Sequence, residues 1–267
     1  MVALLREVER SDAPALGRWT LGDVAMHLSQ VWVVVPALAR ADLSRARTQV
    51  SSLAESQGGS LVHDLWDLAS VTTKGVESDL ERDPSVLADR IEARAAEYLG
   101  ECEGRSADEV RPWLVDGVTV GLPVLTGHLL NETVAHGHDI ACAAGRPWTI
   151  NPVHAAMVLD GFIIPVIATL PPHTMVDQHQ AAGVRVRYDV RIRGGGRYFF
   201  VFDDGRLLVE EPSSKRVDCH LSVDPVAFFL LSWNRIGQWG AIGRGQLLAW
   251  GRRPWMGLRL RSLMRTL

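Results

Sequence analysis

The sequence predicts a two-domain α+β chain. An N-terminal four-helix bundle occupies residues 1–150, and a smaller domain over residues 151–267 combines an antiparallel sheet with helices. Three observations lead there. Apolar residues between positions 20 and 144 recur at helical spacing in four segments. Residues 184–193 alternate apolar and polar strictly, the period of a strand, and turn signals follow them. The length, 267 residues, is enough for two domains of ordinary size.

The elements follow in order. After a short amphipathic start, Thr20 with Asp23 three residues on has the form of a capping box, so a helix is expected to begin there. Pro36 is expected to end or kink it. A second helix is read over residues 61–80 from Leu61, Leu65, Leu68, Ala69, Thr72 and Val76. Asp83-Pro84-Ser85 punctuates, and residues 87–99 form a third, amphipathic helix. Gly121-Leu122-Pro123 opens the fourth, over residues 124–144, which stops at Gly145 with Pro147 just beyond.

The apolar segment 153–170 reads as a buried helix bridging the two halves. Its longest apolar run, interrupted by Asp160 and Pro165, is read as too short to span a bilayer. Strands are expected over residues 184–193, 198–202, 206–210 and 217–222, with Gly194-Gly195-Gly196 and Asp203-Asp204-Gly205 as turns. Asp224-Pro225 starts a helix through Trp233. Residues 237–245 read as a loop, residues 246–250 as a last strand and residues 254–267 as a terminal helix.

Composition narrows the functional classes. The net charge of −3 carries no sign of a nucleic-acid partner. The local exception is an Arg-rich end (Arg244, Arg252, Arg253, Arg259, Arg261, Arg265), which reads as the solvated rim of an amphipathic helix. Cys102, Cys142 and Cys219 lie far apart, against a disulfide framework or a thiolate zinc site and in keeping with a reduced cytoplasmic setting. The first residues carry charges throughout and no apolar core of a secretory signal.

Chemistry concentrates on the fourth helix. His128, Glu132 and His136 stand at i, i+4 and i+8, one above the other on one face. Two imidazoles and a carboxylate so stacked can grip one ion, and nitrogen and carboxylate donors suit zinc, nickel or iron(II). His27, in an inward-looking stretch of the first helix, is the candidate to close the site. Three protein ligands with open positions is the arrangement of a catalytic metal. Spacing alone leaves the bland alternative open, since a histidine on an apolar face is more often a satisfied core residue. His63, His154, His173, His179 and His220 are scattered and read as surface or structural.

Two segments carry a family resemblance. Trp19-Thr20-Leu21-Gly22-Asp23-Val24-Ala25-Met26-His27-Leu28 resembles the W-[ST]-x-x-[DE]-[VL]-x-x-H-[LI] segment of the mycothiol-dependent maleylpyruvate isomerase family, a branch of the DinB-like metalloproteins. Residues 132–141, with Glu132, His136 and Asp139, resemble its E-x-x-x-H-x-x-D segment. Residues 217–225 and 245–255 resemble the sterol-carrier-like domain that follows the bundle in that family. The resemblance implies a four-helix bundle holding a divalent metal, usually zinc, through His27, Glu132 and His136. It implies mycothiol as thiol co-substrate, and isomerase or thiol S-transferase chemistry on a small anionic or electrophilic substrate. It also implies an arginine of the second domain at the substrate's negative charge; Arg235 is the choice and Arg244 the runner-up. The segment ahead of Trp19 looks short for the family, and His128 is an extra histidine on the ligand face. Asp139 is placed to orient a ligand histidine, whereas His138 points away. A monomer or small homo-oligomer is expected, with no nucleic acid and no membrane span. The competing expectations are a small-molecule or lipid-binding protein with a pocket lined by Phe199, Phe228, Phe229, Trp233 and Trp250, and an interaction protein that has lost catalysis.

Overall fold

A computed structural model describes residues 1–49 and 62–265 of the chain. They divide into two compact units, Met1–Ile150 and Asn151–Leu267.

The first unit runs α1 (Val2–Arg6), β1 (Pro14–Leu16), β2 (Trp19–Thr20), α2 (Leu21–Ala39), α3 (Leu43–Gln49), α4 (Leu68–Ser78), α5 (Pro84–Cys102), β3 (Val110–Pro112), β4 (Thr119–Gly121) and α6 (Leu122–Ala143). Helix α2 is buried almost all round, as its near-continuous apolar sequence requires, and α3, α4, α5 and α6 pack on it. Leu21, Val24, Ala25 and Leu28 of α2, Val76 of α4, Leu87, Ala88 and Ile91 of α5 and Ile140 of α6 share one apolar core with Leu5 of α1.

Both halves of the capping box at the start of α2 are made. The Thr20 Oγ1 accepts from the Asp23 amide at 3.2 Å, and Asp23 Oδ2 accepts from the Thr20 amide at 2.9 Å. The other Asp23 oxygen accepts from Arg82 Nε at 2.7 Å. Arg82 also donates to the carbonyls of Val76, Asp79 and Glu81, tying the end of α4 to the start of α2.

Several boundaries differ from the sequence expectation. Pro36 does not end α2, which continues to Ala39. It falls in the last turn, where the proline removes one intrahelical donor. The second expected helix is shorter, α4 being preceded by a single 3₁₀ turn over Leu65–Asp67; Leu61 lies outside the described residues. The third begins earlier, because Asp83 caps α5 by accepting from the Ser85 and Val86 amides while Pro84 occupies its first turn. The β1–β2 and β3–β4 pairs were not foreseen, being only two or three residues per strand.

The second unit begins with α7 (Pro152–Val158), a π-helical turn over Leu159–Ile163 and α8 (Ile164–Thr169) in one run. Together with α2 this run is long and apolar enough to cross a membrane by length and composition alone. That corrects the expectation of too short a span, since the helix starts at Pro152. Its inner face, with Ala156, Leu159, Ile164 and Ile167, packs into the sheet's core.

Then come α9 (Gln178–Ala181), β5 (Arg185–Ile192), β6 (Arg197–Asp203), β7 (Arg206–Glu210), β8 (Cys219–Val223), α10 (Pro225–Ser232), α11 (Gln238–Gly243), β9 (Leu247–Trp250) and α12 (Met256–Leu263). Helix α11 replaces the expected loop, and α12 is shorter than the expected terminal helix, whose last two residues lie outside the described ones.

The five strands lie in the order β7-β6-β5-β8-β9, and the β5–β8 pair is parallel. The sheet is therefore mixed, not purely antiparallel. Register explains this. Glu210 ends β7 level with Phe199 and hence Asp189, while Cys219 starts β8 level with Tyr188. Residues 211–218 cross sideways at one level, so β8 resumes the direction in which β7 stopped. Alternation assigns the faces. Val186, Tyr188, Val190, Ile192, Phe200, Phe202, Cys219, Leu221 and Val223 join the core with Met256, Leu260 and Leu263 of α12.

Candidate metal centre

Each of the two ligand-bearing helices starts directly from a short β pair: β2 runs into α2 and β4 into α6. Leu21 and Gly22 donate to the carbonyls of Ala13 and Ser11, and Leu122 donates to Glu109, so both helix starts are anchored to preceding chain. Gly137 lets α6 approach Trp148, since a Cβ there would lie 2.7 Å from the indole.

The structure brings His27, Glu132 and His136 together. One donor atom from each lies within 4.8 Å of the others. His27 Nε2 is 3.1 Å and His136 Nε2 is 3.3 Å from the same oxygen, Glu132 Oε2. The two imidazoles meet edge to face with centroids 4.9 Å apart. A tetrahedral zinc with bonds of about 2.0–2.1 Å would need its donors about 3.3 Å apart, close to both of these separations. The side chains are 13, 12 and 11% exposed, so the cluster is desolvated yet not sealed. Two imidazoles and a carboxylate in this setting are a donor set suited to a divalent transition metal.

Neighbouring groups aim these donors. Asp139 Oδ2 lies 3.0 Å from His136 Nδ1, which leaves Nε2 pointing at the cluster. The second Glu132 oxygen, Oε1, is occupied from the opposite side by Asn131 Nδ2 at 3.1 Å and His128 Nε2 at 3.4 Å. His128 therefore contacts a different carboxylate oxygen from the one His27 and His136 share, and its ring lies 6.1 Å from that of Trp113. Trp19 covers His27 from the other side, ring centroids 5.4 Å apart.

The electrostatics follow from burial among these partners. Burial alone would raise the Glu132 carboxyl, but hydrogen bonds from His128, His136 and His27 hold it well below the usual range. Burial opposes the charge on His136 too, yet Asp139 and Glu132 outweigh it and push its pKa up to about 9. Burial lowers His27, against the pull of Glu132. These partners thus favour charge on Glu132 and His136 while burial opposes it on His27, and ligation at His136 Nε2 would displace its proton.

The remaining expected residues fall elsewhere. His138 turns from the cluster, its Nε2 3.7 Å from Cys142 Sγ. Arg235 belongs to the second unit, where its Nη1 donates to the Trp233 carbonyl at 2.6 Å. Arg244 bonds Gln246 at 3.0 Å. The five aromatics of the expected apolar pocket do not share one lining. Phe199 and Trp250 lie on the sheet face away from the core, whereas Phe228 packs against the core. Trp250 is 42% exposed, stacked on His220. Asn131 was not foreseen. It neighbours Glu132 in sequence, and adjacent positions on a helix do not ordinarily face one another; its full burial emerges only in the structure.

No family model matches the chain, and no curated protein matches it. Among solved structures it is similar to the mycothiol-dependent maleylpyruvate isomerase at 11% identity, over 93% of this chain and 86% of that one, with a TM-score of 0.46. It is similar to a stereoselective inverting sec-alkylsulfatase from Pseudomonas sp. at 11% identity, over 55% of this chain and 25% of that one, with a TM-score of 0.32. A double mutant of the sec-alkyl sulfatase gives 13% identity over 68% and 37%, with a TM-score of 0.31. This chain thus spans about a quarter of the length of the first sulfatase. These are distant likenesses of fold.

Proposed function

We propose that the chain binds a divalent metal through His27, Glu132 and His136 and acts as a mycothiol-dependent isomerase or thiol S-transferase on a small anionic or electrophilic substrate. The observation that carries this reading is the convergence of His27 Nε2 and His136 Nε2 on one oxygen of Glu132, at 3.1 and 3.3 Å. The family resemblance of residues 19–28 and 132–141 supplies the chemistry, and with it the reading of the first unit as a DinB-like four-helix bundle and of the second as sterol-carrier-like. Zinc is the favoured metal, with nickel or iron as alternatives.

When bound, such a metal would supply an open Lewis-acid position at which a thiol is held as its thiolate. The chain's own residues do the rest. His27, Glu132 and His136 hold the ion. Asp139 fixes the His136 tautomer. Asn131 and His128 occupy Glu132 Oε1, leaving Oε2 for the ligand position. Trp19 limits water beside His27. Arg235 is proposed to meet the substrate's negative charge, a task suited to a guanidinium. The protein would work in the cytoplasm, as a monomer or small homo-oligomer.

The test is a turnover assay with maleylpyruvate and with electrophilic thiol acceptors, run with zinc-loaded and chelator-stripped protein, with and without mycothiol. Turnover that needs both metal and thiol is the expected result. Turnover unaffected by stripping the metal, or a zinc-loaded protein inert with every thiol offered, would overturn the reading.

A further inference from the structure

Apart from Arg235, the Arg-rich end has no part in that chemistry. After Asp224 the chain carries no Asp, Glu or Lys, but seven arginines: Arg235, Arg244, Arg252, Arg253, Arg259, Arg261 and Arg265. Four of its nine tryptophans fall in the same stretch. A chain of net charge −3 therefore concentrates an unbalanced positive charge in its last 43 residues.

The fold gathers this stretch at one edge of the sheet. Among the described residues β9 pairs only with β8, leaving its other side as an edge. Helix α11 packs against β9 from before it and α12 from after it, and Gln238 Nε2 joins the two helices by donating to the Leu258 carbonyl at 3.0 Å. Large apolar side chains face solvent on both sides of this edge, Leu248 and Trp250 on the sheet face away from the core and the others on the helices and their connections. Trp239 is 71% exposed, Trp255 59%, Leu248 49%, Leu258 43% and Trp250 42%. Burial of these side chains is not lacking for want of a core, since Met256, Leu260 and Leu263 of the same α12 are inside it.

Cations stand among the exposed aromatics. The Arg244 guanidinium lies over Gly240, next to Trp239. Arg191 lies 5.7 Å from the centroid of the Trp250 ring. Arg252, Arg253 and Arg259 are exposed beside Trp255 and Leu258. The nearby acids do not balance them. Asp218 faces both Arg252 and Arg253, at 3.5 and 3.9 Å, and Asp189 is wholly buried between Arg191, Arg197 and His220. Asp224 is spent capping α10.

We infer that this α11–β9–α12 edge binds the surface of an anionic lipid bilayer. Exposed indoles and leucines among arginines fit the boundary between anionic head groups and acyl chains, where indole rings settle and each arginine gains from the surface potential. A nucleic acid would satisfy the charge, but offers nothing to exposed leucines.

The experiment is co-sedimentation of the full chain with vesicles of phosphatidylcholine alone and of phosphatidylcholine with phosphatidylserine. Partitioning about tenfold or more stronger onto the serine-containing vesicles, weakened by high salt, with a blue shift of tryptophan emission, is the expected result. A Trp239→Ser/Trp255→Ser pair and an Arg252→Gln/Arg253→Gln pair should each reduce it about tenfold. Equal partitioning onto both vesicles, no partitioning, or tighter binding to duplex DNA than to the anionic vesicles would overturn the inference. Variants that both partition onto the anionic vesicles as strongly as the parent would overturn it too, since the binding face would then lie elsewhere.

Discussion

Asp139→Ala removes the carboxylate that touches the outer nitrogen of His136. In the parent, Asp139 is 6% exposed and its Oδ2 sits 3.0 Å from Nδ1, so the ring presents Nε2 to the cluster 3.3 Å from Glu132. Without it, the buried imidazole is free to take the other tautomer or to rotate, and either removes one of three donors for part of the time. Groups that orient a metal-bound histidine in this way are worth about 10–100-fold in metal affinity, or about 1.4–2.7 kcal/mol. The ring keeps its edge-to-face contact with His27 at 4.9 Å, so weakening rather than abolition is expected. Asp139→Asn retains an oxygen that can accept from Nδ1, and should fall at or below the lower end of that range. His138→Ala, two residues from His136 on the same helix but turned toward Cys142, should leave affinity at the parent's value. Competition with a chromophoric zinc chelator measures all three. The reasoning is refuted if Asp139→Ala binds zinc as tightly as the parent, or if His138→Ala loses as much.

Other consequences can be checked in turn. Thr20→Ala breaks the capping box at the start of α2 and should cost about 1 kcal/mol in denaturant unfolding. Asp189→Asn leaves Arg191, Arg197 and His220 without their shared carboxylate. A fully buried pair would cost about 3–5 kcal/mol to break, but both arginines are nearly half exposed, so roughly 2 kcal/mol is expected at neutral pH. Burial alone would raise the Asp189 carboxyl, but its three partners hold it well below the usual range. Its contribution is therefore present above the ordinary carboxylate pKa and is lost as pH falls through the depressed one. Parent and variant stabilities should accordingly converge in strong acid. Arg235→Ala should weaken turnover of an anionic substrate about tenfold or more through KM while leaving bound metal unchanged; parental turnover would remove Arg235 from the proposed site.

Legibility in the sequence tracked how local the signal was. Caps at Thr20 and Asp224 and the strand alternation of residues 184–193 lie within a few residues of what they determine. The stacking of His128, Glu132 and His136 follows from helix geometry alone. Bringing His27 onto Glu132, 105 positions away in sequence, depends on how α2 packs on α6, which no spacing rule contains. The inward-looking stretch around His27 makes it a candidate, and the resemblance of residues 19–28 supports that link. The parallel β5–β8 pair was hidden for a similar reason, since alternation fixes which face a residue takes but not which strand lies beside it. Asn131 was hidden because its role comes from the carboxylate's second oxygen and not from its own helix face.

The most direct test is to purify the chain without a metal-affinity tag and count metal per chain by mass spectrometry, beside His27→Ala and His136→Ala. The account predicts about one zinc, nickel or iron per parent chain and little in either variant. A parent that holds none after incubation with zinc, or variants that hold as much as the parent, would contradict it.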